Sequence, residues 1–223
     1  MIISYMDLRL IIFLVVMITV IDIFIGHKIE NGKKPKGDRE SCIRDILQEK
    51  LPNLSETSKF SKHNREGLLK GIFSLDDFLA IAMFILFLVI HRLKYVKDIG
   101  ILYILIRGFR LITMSVTVLP QPNNNCKPPS ERNMIDRWLS GGCNDSIFSG
   151  HTALMIILLL YISKGVKSNF MKLMMVLFMV GYSLLIIMLR NHYTVDVVLA
   201  WFISISTFIL YENREYLFKK GYL

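Results

Sequence analysis

Residues 149–163 read Ser-Gly-His-Thr-Ala-Leu-Met-Ile-Ile-Leu-Leu-Leu-Tyr-Ile-Ser, a polar tetrapeptide that leads directly into an apolar run. An apolar run of this length, without proline or charge, is typical of a helix buried in protein or lipid. The tetrapeptide places His151 at the start of that helix. This stretch therefore predicts the fold class and also the location of a reactive side chain.

Five further apolar runs follow the same pattern, and most approach the roughly 20 residues that a helix needs to cross a bilayer. Hydrophobic residues make up 53% of the 223-residue chain, above the roughly 45–50% of soluble domains. The predicted spans are 8–26, 72–90, 99–119, 149–163, 171–189 and 192–211. We expect an all-α polytopic membrane protein with six transmembrane helices in one bundle.

The spans divide the chain into four parts: a first transmembrane helix (1–26), a polar non-cytosolic loop (27–71), a five-helix catalytic membrane core (72–211) and a cytosolic tail (212–223). Basic residues concentrate in the turns after spans two and four and in the tail, which predicts that this side is cytosolic. The lysine-rich loop 27–71 argues against this orientation, but three basic segments outweigh one. A short amphipathic helix is expected near 42–51 within that loop.

The formal net charge is +9. Because the basic residues lie between apolar runs, we interpret them as topology signals that also attract anionic lipids, and we expect no nucleic-acid partner. The chain has three cysteines. Cys126 and Cys143 share one loop and could form a disulfide if that loop is non-cytosolic, a question the sequence leaves open.

Two histidines are predicted at helix starts on the same membrane face. A helix start presents unpaired N–H groups that suit an anion, so Ser149, Gly150 and His151 form a candidate phosphate site. In His192-Tyr-Thr-Val-Asp196, residues i and i+4 share a helix face, so Asp196 is expected to bond one ring nitrogen of His192 and leave the other more basic.

Arg107 and Arg110 lie three residues apart on the third span and can both face the bundle interior. A charge inside a bilayer is costly and marks a functional site by default. Arg110 lies nearer the histidine face, and its planar fork of donors suits phosphate.

Each feature also has a structural explanation. His151 could cap a helix, His192 and Asp196 could be a structural pair, Asp145 could cap a turn, and Arg110 could pair with Asp76 or Asp77. The functional interpretation is favoured because three polar signals converge on one face of a bundle whose spans otherwise carry little charge.

The stretches 143–152, Cys-Asn-Asp-Ser-Ile-Phe-Ser-Gly-His-Thr, and 192–197, His-Tyr-Thr-Val-Asp-Val, resemble the paired motifs of the sphingomyelin synthase family. That family is the sphingolipid synthase branch of the phosphatidic-acid-phosphatase type 2 superfamily. Residues 110–122 and 125–128 resemble two further motifs of the family, and 51–53 resembles a third more weakly. The resemblance covers the chain from about Leu51 to the end of the sixth span.

The resemblance implies a transferase that moves a phospho-head group from a glycerophospholipid to ceramide through a phosphohistidine. Phosphocholine is the first expectation, with phosphoethanolamine and phosphoinositol as alternatives. His192 would attack phosphorus, Asp196 would orient it, His151 would shuttle the proton and Arg110 would neutralise the phosphoryl oxygens. Ser149, Gly150, Asp145, Tyr193, Asp76 and Asp77 complete the expected substrate-binding set.

The chain departs from the family pattern at Asn53, Asn144 and Arg190-Asn191, which puts the head-group choice in doubt. We expect no metal and no cofactor, with ceramide and a glycerophospholipid as partners and a homodimer left open. The family implies the Golgi, the endoplasmic reticulum or the plasma membrane, with a non-cytosolic active site. The alternatives are a lipid phosphate phosphatase, a phospholipase C-type hydrolase and a non-catalytic membrane binding protein.

Overall fold

The computed structural model describes residues 7–31, 45–54, 75–91, 93–117 and 148–220. All regular secondary structure in these ranges is helical. The helices are α1 (Leu8–Asn31), α2 (Ile46–Lys50), α3 (Leu75–His91), α4 (Val96–Val116), α5 (Gly150–Gly165), α6 (Asn169–Met188), α7 (Thr194–Glu212) and α8 (Arg214–Lys219). The all-α prediction is confirmed.

Helix α5 is the centre of the bundle and packs against α3, α4, α6 and α7. It is buried on all sides because its sequence is apolar all round, with Ala153, Met155 and Leu158 fully enclosed. The polar tetrapeptide at its start is therefore carried into the middle of the helix cluster rather than to its rim.

The directions of the helices follow from side-chain contacts. Ile11 in the first turn of α1 meets Gly100 near the start of α4. Asp22, further along α1, pairs with Arg107, further along α4, so the two helices run in parallel. Helices α5 and α7 also run in parallel, since the rings of Tyr161 and Phe208 meet near their C-terminal ends with centroids 5.3 Å apart. The first turns of α5 and α7 thus share one end of the bundle, called here the site end.

The opposite end is called the lysine end and comprises the turns at 93–95 and 166–168 together with α8. Its exposed lysines are Lys94, Lys97, Lys164, Lys167, Lys172, Lys219 and Lys220. The ammonium of Lys164 lies over the rings of Tyr95, Tyr161 and Phe208, at 4.8–5.5 Å from their centroids, and pairs with Glu212 at 2.5 Å. These contacts tie α4, α5 and α7 together at this end.

Among the residues that the structure describes, three helices, α4, α6 and α7, are long and apolar enough to cross a membrane. Helix α5 and residues Phe78–His91 of α3 are shorter apolar helices. Large apolar side chains on the outer faces are exposed, including Phe170, Leu173, Val176 and Phe202. Soluble monomers rarely expose apolar surface of this extent. The fold therefore indicates a multi-pass membrane protein, and the full count of six spans stays a prediction.

Helix boundaries differ from the predicted spans at two places that matter. Helix α1 continues to Asn31, beyond the end of the apolar run. Residues 27–31 are mostly polar but contain neither proline nor glycine, so the helix is not interrupted there. The predicted loop therefore begins as helix. The expected helix near 42–51 is Ile46–Lys50, with Asp45 as its N-cap.

Candidate active site

Ser149 is the N-cap of α5. Its hydroxyl accepts the backbone N–H of Thr152 at 3.3 Å and lies 2.8 Å from the Thr152 hydroxyl, and both side chains are fully buried. A serine in this position satisfies one of the donors that a helix start leaves unpaired. Ser149 therefore holds the helix start in place beneath Gly150 and His151.

Gly150 occupies the point where the guanidinium of Arg110 approaches the start of α5. A Cβ atom at position 150 would lie 2.9 Å from Nη1 of Arg110 and 4.0 Å from Nη1 of Arg107. The glycine is required here for space, since a larger residue would push the guanidinium away. The structure thus brings together Arg110 and the Ser-Gly-His-Thr turn, which are 40 positions apart in the sequence.

Asp22 of α1 is the acidic partner of both arginines. It forms an ion pair with Arg107, and its Oδ1 lies 3.5 Å from Nε of Arg110. Arg107 also donates to the hydroxyl of Tyr103 at 2.9 Å. Asp22 and Arg110 are 7% and 8% exposed, so this cluster of charges lies within the bundle.

The prediction from sequence missed Asp22 as a site residue. The signal was available, because Asp22 is the acid of an otherwise apolar run, and an ionisable residue in such a run is a functional candidate by default. The predicted partners Asp76 and Asp77 lie at the start of α3, at the site end, but their side chains are outside the described part of the structure.

His192 lies in the turn before α7 rather than on the helix. Helix α7 begins at Thr194 with Tyr193 as N-cap, so the expectation that His192 and Asp196 share a helix face was wrong. Asp196 is the third residue of the helix, and its Oδ2 accepts the backbone N–H of Tyr193 at 2.8 Å. The helix stops short of His192 because this cap closes its first turn.

The carboxylate of Asp196 nevertheless faces His192. Oδ2 lies 3.7 Å from Nδ1 of His192, longer than a direct hydrogen bond but within ion-pair range. Asp196 is fully buried, and its Oδ1 makes no hydrogen bond within the described residues. A buried carboxylate beside Nδ1 favours a proton on that nitrogen and leaves Nε2 with its lone pair.

Some of the remaining predicted residues lie in the described part of the structure, and others lie outside it. Tyr193 is buried at 3% exposure and serves as the N-cap of α7. His151 lies in the first turn of α5. Asp145, Cys126 and Cys143 fall outside the residues that the structure describes.

The site end therefore collects two histidines at the starts of two parallel helices, a guanidinium held against one of those starts, and a carboxylate beside one imidazole. Such a set can bind a phosphoryl group, attack it with an imidazole nitrogen and supply or remove a proton. A guanidinium at a helix start adds positive charge to N–H groups that already favour an anion.

Comparisons with known proteins agree with this chemistry. Residues 142–213 match the family described as PAP2 superfamily C-terminal. The chain is 32% identical over 123 residues to phosphatidylinositol:ceramide inositolphosphotransferase 3 of Arabidopsis thaliana, a match covering 49% of this chain and 42% of the relative.

Two further relatives carry other head groups in their names. The chain is 31% identical over 136 residues to phosphatidylcholine:ceramide cholinephosphotransferase 2 of Rattus norvegicus, covering 50% of this chain and 37% of the relative. It is 32% identical over 133 residues to phosphatidylethanolamine:ceramide ethanolaminephosphotransferase of Trypanosoma brucei brucei, covering 54% of this chain and 41% of the relative. The matches span less than half of the length of each of these relatives. The resemblance to the sphingolipid synthase branch that the motifs predicted is confirmed.

Proposed function

We propose that this protein transfers a phospho-head group from a glycerophospholipid to ceramide and releases diacylglycerol. The observation that carries the proposal is the placement of His151 and His192 at the starts of two parallel helices, with Arg110 against the first and Asp196 beside the second. The similarity to three ceramide phosphotransferases supports the lipid substrates.

In the first half-reaction, Nε2 of His192 attacks the phosphorus of the donor lipid. The bond between phosphorus and the glycerol oxygen breaks, and protonated His151 gives its proton to that oxygen as diacylglycerol leaves. Asp196, next to Nδ1, stabilises the positive charge that develops on the attacking imidazole. The head group rests on His192 as a phosphohistidine.

In the second half-reaction, neutral His151 removes the proton of the primary hydroxyl of ceramide. The hydroxyl oxygen attacks phosphorus, the phosphorus–nitrogen bond breaks and His192 is regenerated. His151 is therefore neutral after the first half-reaction, as the second requires, and protonated after the second, as the first requires. Water in place of ceramide would give the hydrolytic reaction of a phosphatase or phospholipase C by the same chemistry.

Arg110 stabilises the charge that spreads over the phosphoryl oxygens as phosphorus becomes five-coordinate. Preorganised charge aimed at such oxygens is usually a large contribution to catalysis. Asp22 holds Arg110 and Arg107 beside Gly150 before the substrate arrives, so little reorganisation is needed at the moment of reaction.

The same proposal includes six membrane spans with the site end on the non-cytosolic side. Two facts support it: α1 and α4 run in parallel, and the exposed lysines gather at the opposite end. Lysine-rich turns remain on the cytosolic side of membrane proteins. A site on the other face fits an enzyme of the secretory pathway or the cell surface, as expected from the family.

The test is a transfer assay with the purified full chain in lipid vesicles, with labelled ceramide and phosphatidylcholine, phosphatidylethanolamine or phosphatidylinositol as donors. Ceramide bearing one head group, with diacylglycerol in equal amount, is the expected product, and the donor that works identifies the head group. Phosphatidic acid in a parallel assay detects a phosphatase. Transfer that persists in both His151→Ala and His192→Ala would contradict the mechanism.

A further inference from the structure

We propose that Asp45, Gln48 and Arg190 form a positioning clamp that holds the turn carrying His192. The clamp joins α2, from a segment far from the matched core in the sequence, to the turn between α6 and α7. The inference rests on the proposed function, because it assigns the clamp to the orientation of the nucleophile.

Asp45 binds the first residue of α7 with both carboxylate oxygens. Oδ2 accepts the backbone N–H of Thr194 at 2.6 Å, and Oδ1 accepts the Thr194 hydroxyl at 2.7 Å. Oδ1 also accepts the backbone N–H groups of Leu47 and Gln48 at 3.1 Å, which makes Asp45 the N-cap of α2. One carboxylate therefore fixes the starts of two helices relative to each other, and charge-assisted bonds of this kind are among the stronger ones.

Gln48 reaches the histidine residue itself. Its side-chain amide donates to the backbone carbonyl of His192 at 3.0 Å, and the side chain is buried at 9% exposure. The carbonyl is bonded to the Cα from which the imidazole side chain extends, so this bond restrains the backbone that positions the ring.

Arg190 closes the clamp from the other side. Its guanidinium donates to the carbonyls of Gln48 and Leu51, the second at 3.3 Å, and so it caps the end of α2. The backbone of Arg190 has a φ of 53°, a conformation that costs about 1 kcal/mol or more for a residue with a side chain. Arg190 is the residue after the C-cap of α6, and a left-handed residue at this position closes the helix end. Its N–H donates to the carbonyl of Ile187 at 3.1 Å, and the N–H of Asn191 donates to that of Ile186 at 3.2 Å.

The clamp matters because His192 is not part of a helix. A residue in a helix is oriented by its own backbone, whereas a turn residue depends on what packs against the turn. Displacement of a reacting group by about 1 Å can lower a rate about 100-fold. Asp45, Gln48 and Arg190 thus act on the reaction through His192 without contacting the substrate.

The test compares Gln48→Glu, Asp45→Asn and Arg190→Lys with a control, Lys50→Gln, which changes an exposed residue of the same short helix. Gln48→Glu keeps the shape but replaces the donor with a carboxylate. We expect kcat to fall about 10- to 100-fold in the three variants. KM for both lipids should change little, and the control should match the wild type. The melting temperature should fall only in Asp45→Asn, which loses charge-assisted bonds to Thr194.

Thr194 supplies a rescue pair. Thr194→Ser keeps the hydroxyl that Asp45 accepts and should retain kcat, whereas Thr194→Ala should lose part of it. A residue with only a structural role would lower the melting temperature together with the amount of active enzyme, and would leave kcat per folded molecule unchanged.

Amide hydrogen exchange of the peptide containing Thr194 provides a second measurement that needs no activity. The Thr194 amide should exchange slowly in the wild type and faster in Asp45→Asn. Fast exchange in the wild type would overturn the clamp itself. Faster exchange in the variant with unchanged kcat would overturn its positioning role. If the wild-type enzyme transferred no head group to ceramide, the proposed function and the positioning role would both be overturned. The exchange rate of the Thr194 amide would still report whether Asp45 contacts Thr194.

Discussion

Nη1 of Arg110 lies 2.9 Å from the position that a Cβ atom on Gly150 would occupy. The guanidinium of α4 and the first turn of α5 are therefore in direct contact, and the absence of a side chain at residue 150 makes this contact possible. Arg110 is thereby placed against the helix turn that also carries His151.

Gly150→Ala should displace the guanidinium of Arg110 while leaving the fold intact, because the clash is with the far end of a flexible side chain. We expect transfer activity to fall at least 10-fold, by analogy with the loss of one charge-stabilising donor. The melting temperature should hold, since alanine is favoured over glycine in helices. Gly181→Ala is the control, because a Cβ there meets nothing within 4 Å. Equal activity in the two variants would contradict the assignment of Arg110.

Asp22→Asn should destabilise the protein, because it removes the carboxylate that pairs with Arg107 and Arg110 within the bundle. Breaking a buried ion pair by removing one partner costs about 3–5 kcal/mol. Adding Arg107→Gln should restore part of this loss, since one unpaired charge is then removed. Thermal unfolding of the two single variants and the double variant gives the coupling energy. Additive losses would show that Asp22 does not stabilise Arg107.

Asp196→Asn should lower kcat far more than stability. The amide oxygen can still accept the N–H of Tyr193, but the negative charge 3.7 Å from Nδ1 of His192 is lost. We expect a decrease of about 100-fold or more, because a neutral neighbour no longer stabilises the charged imidazole. Single-turnover kinetics of diacylglycerol release report this step. A normal rate of release would remove Asp196 from the mechanism.

Lys164→Gln should lower the melting temperature with little change in kcat or KM, because Lys164 lies at the lysine end. Its ammonium faces three aromatic rings and Glu212, and a cation over an aromatic ring contributes about 0.5–1 kcal/mol where partly exposed. Lys167→Gln, in the turn at 166–168 at the same end, serves as the comparison. A large loss of kcat per folded molecule in Lys164→Gln would contradict the assignment of Lys164 to stability and not to the reaction at the site end.

The contribution of Asp45 to stability should not change between pH 8 and pH 5. Burial alone would raise the pKa of Asp45, but hydrogen bonds from Thr194, Gln48 and Leu47 outweigh it and hold the pKa below its ordinary value of 3.8. A carboxyl whose pKa is lowered in the folded state stabilises the fold above the unfolded pKa and loses this effect as pH falls through the folded pKa. The difference in melting temperature between the wild type and Asp45→Asn should therefore shrink only below about pH 4. A difference that declines between pH 7 and pH 5 would contradict this assignment.

The helices were predictable because an apolar run that crosses lipid as a single span satisfies its own backbone groups by forming a helix. Helix α5 was located to within two residues at each end, since Ser149 caps its start and apolar residues fill it. His192 was misplaced, because hydrophobicity and i, i+4 spacing do not reveal which residue closes the first turn of α7.

The contacts around the two histidines could not be derived from local sequence. The pairing of Asp22 with Arg107 links positions 85 residues apart, and that of Gln48 with the His192 carbonyl links positions 144 apart. Nothing in the residues near His192 indicates that Asp45 and Gln48 hold its turn. Such contacts depend on how α1 and α2 pack against the core.

The sequence by itself determined a helical membrane protein and predicted that its two histidine motifs lie next to helix starts. Periodicity and composition determine these features, because burial of apolar side chains and pairing of backbone groups within a helix both depend on nearby residues in the sequence. Only the tertiary structure decided that Arg110 lies against Gly150, that Asp22 pairs with both arginines, and that His192 is held in a turn by α2. Those relationships depend on distances between helices, which no local pattern encodes.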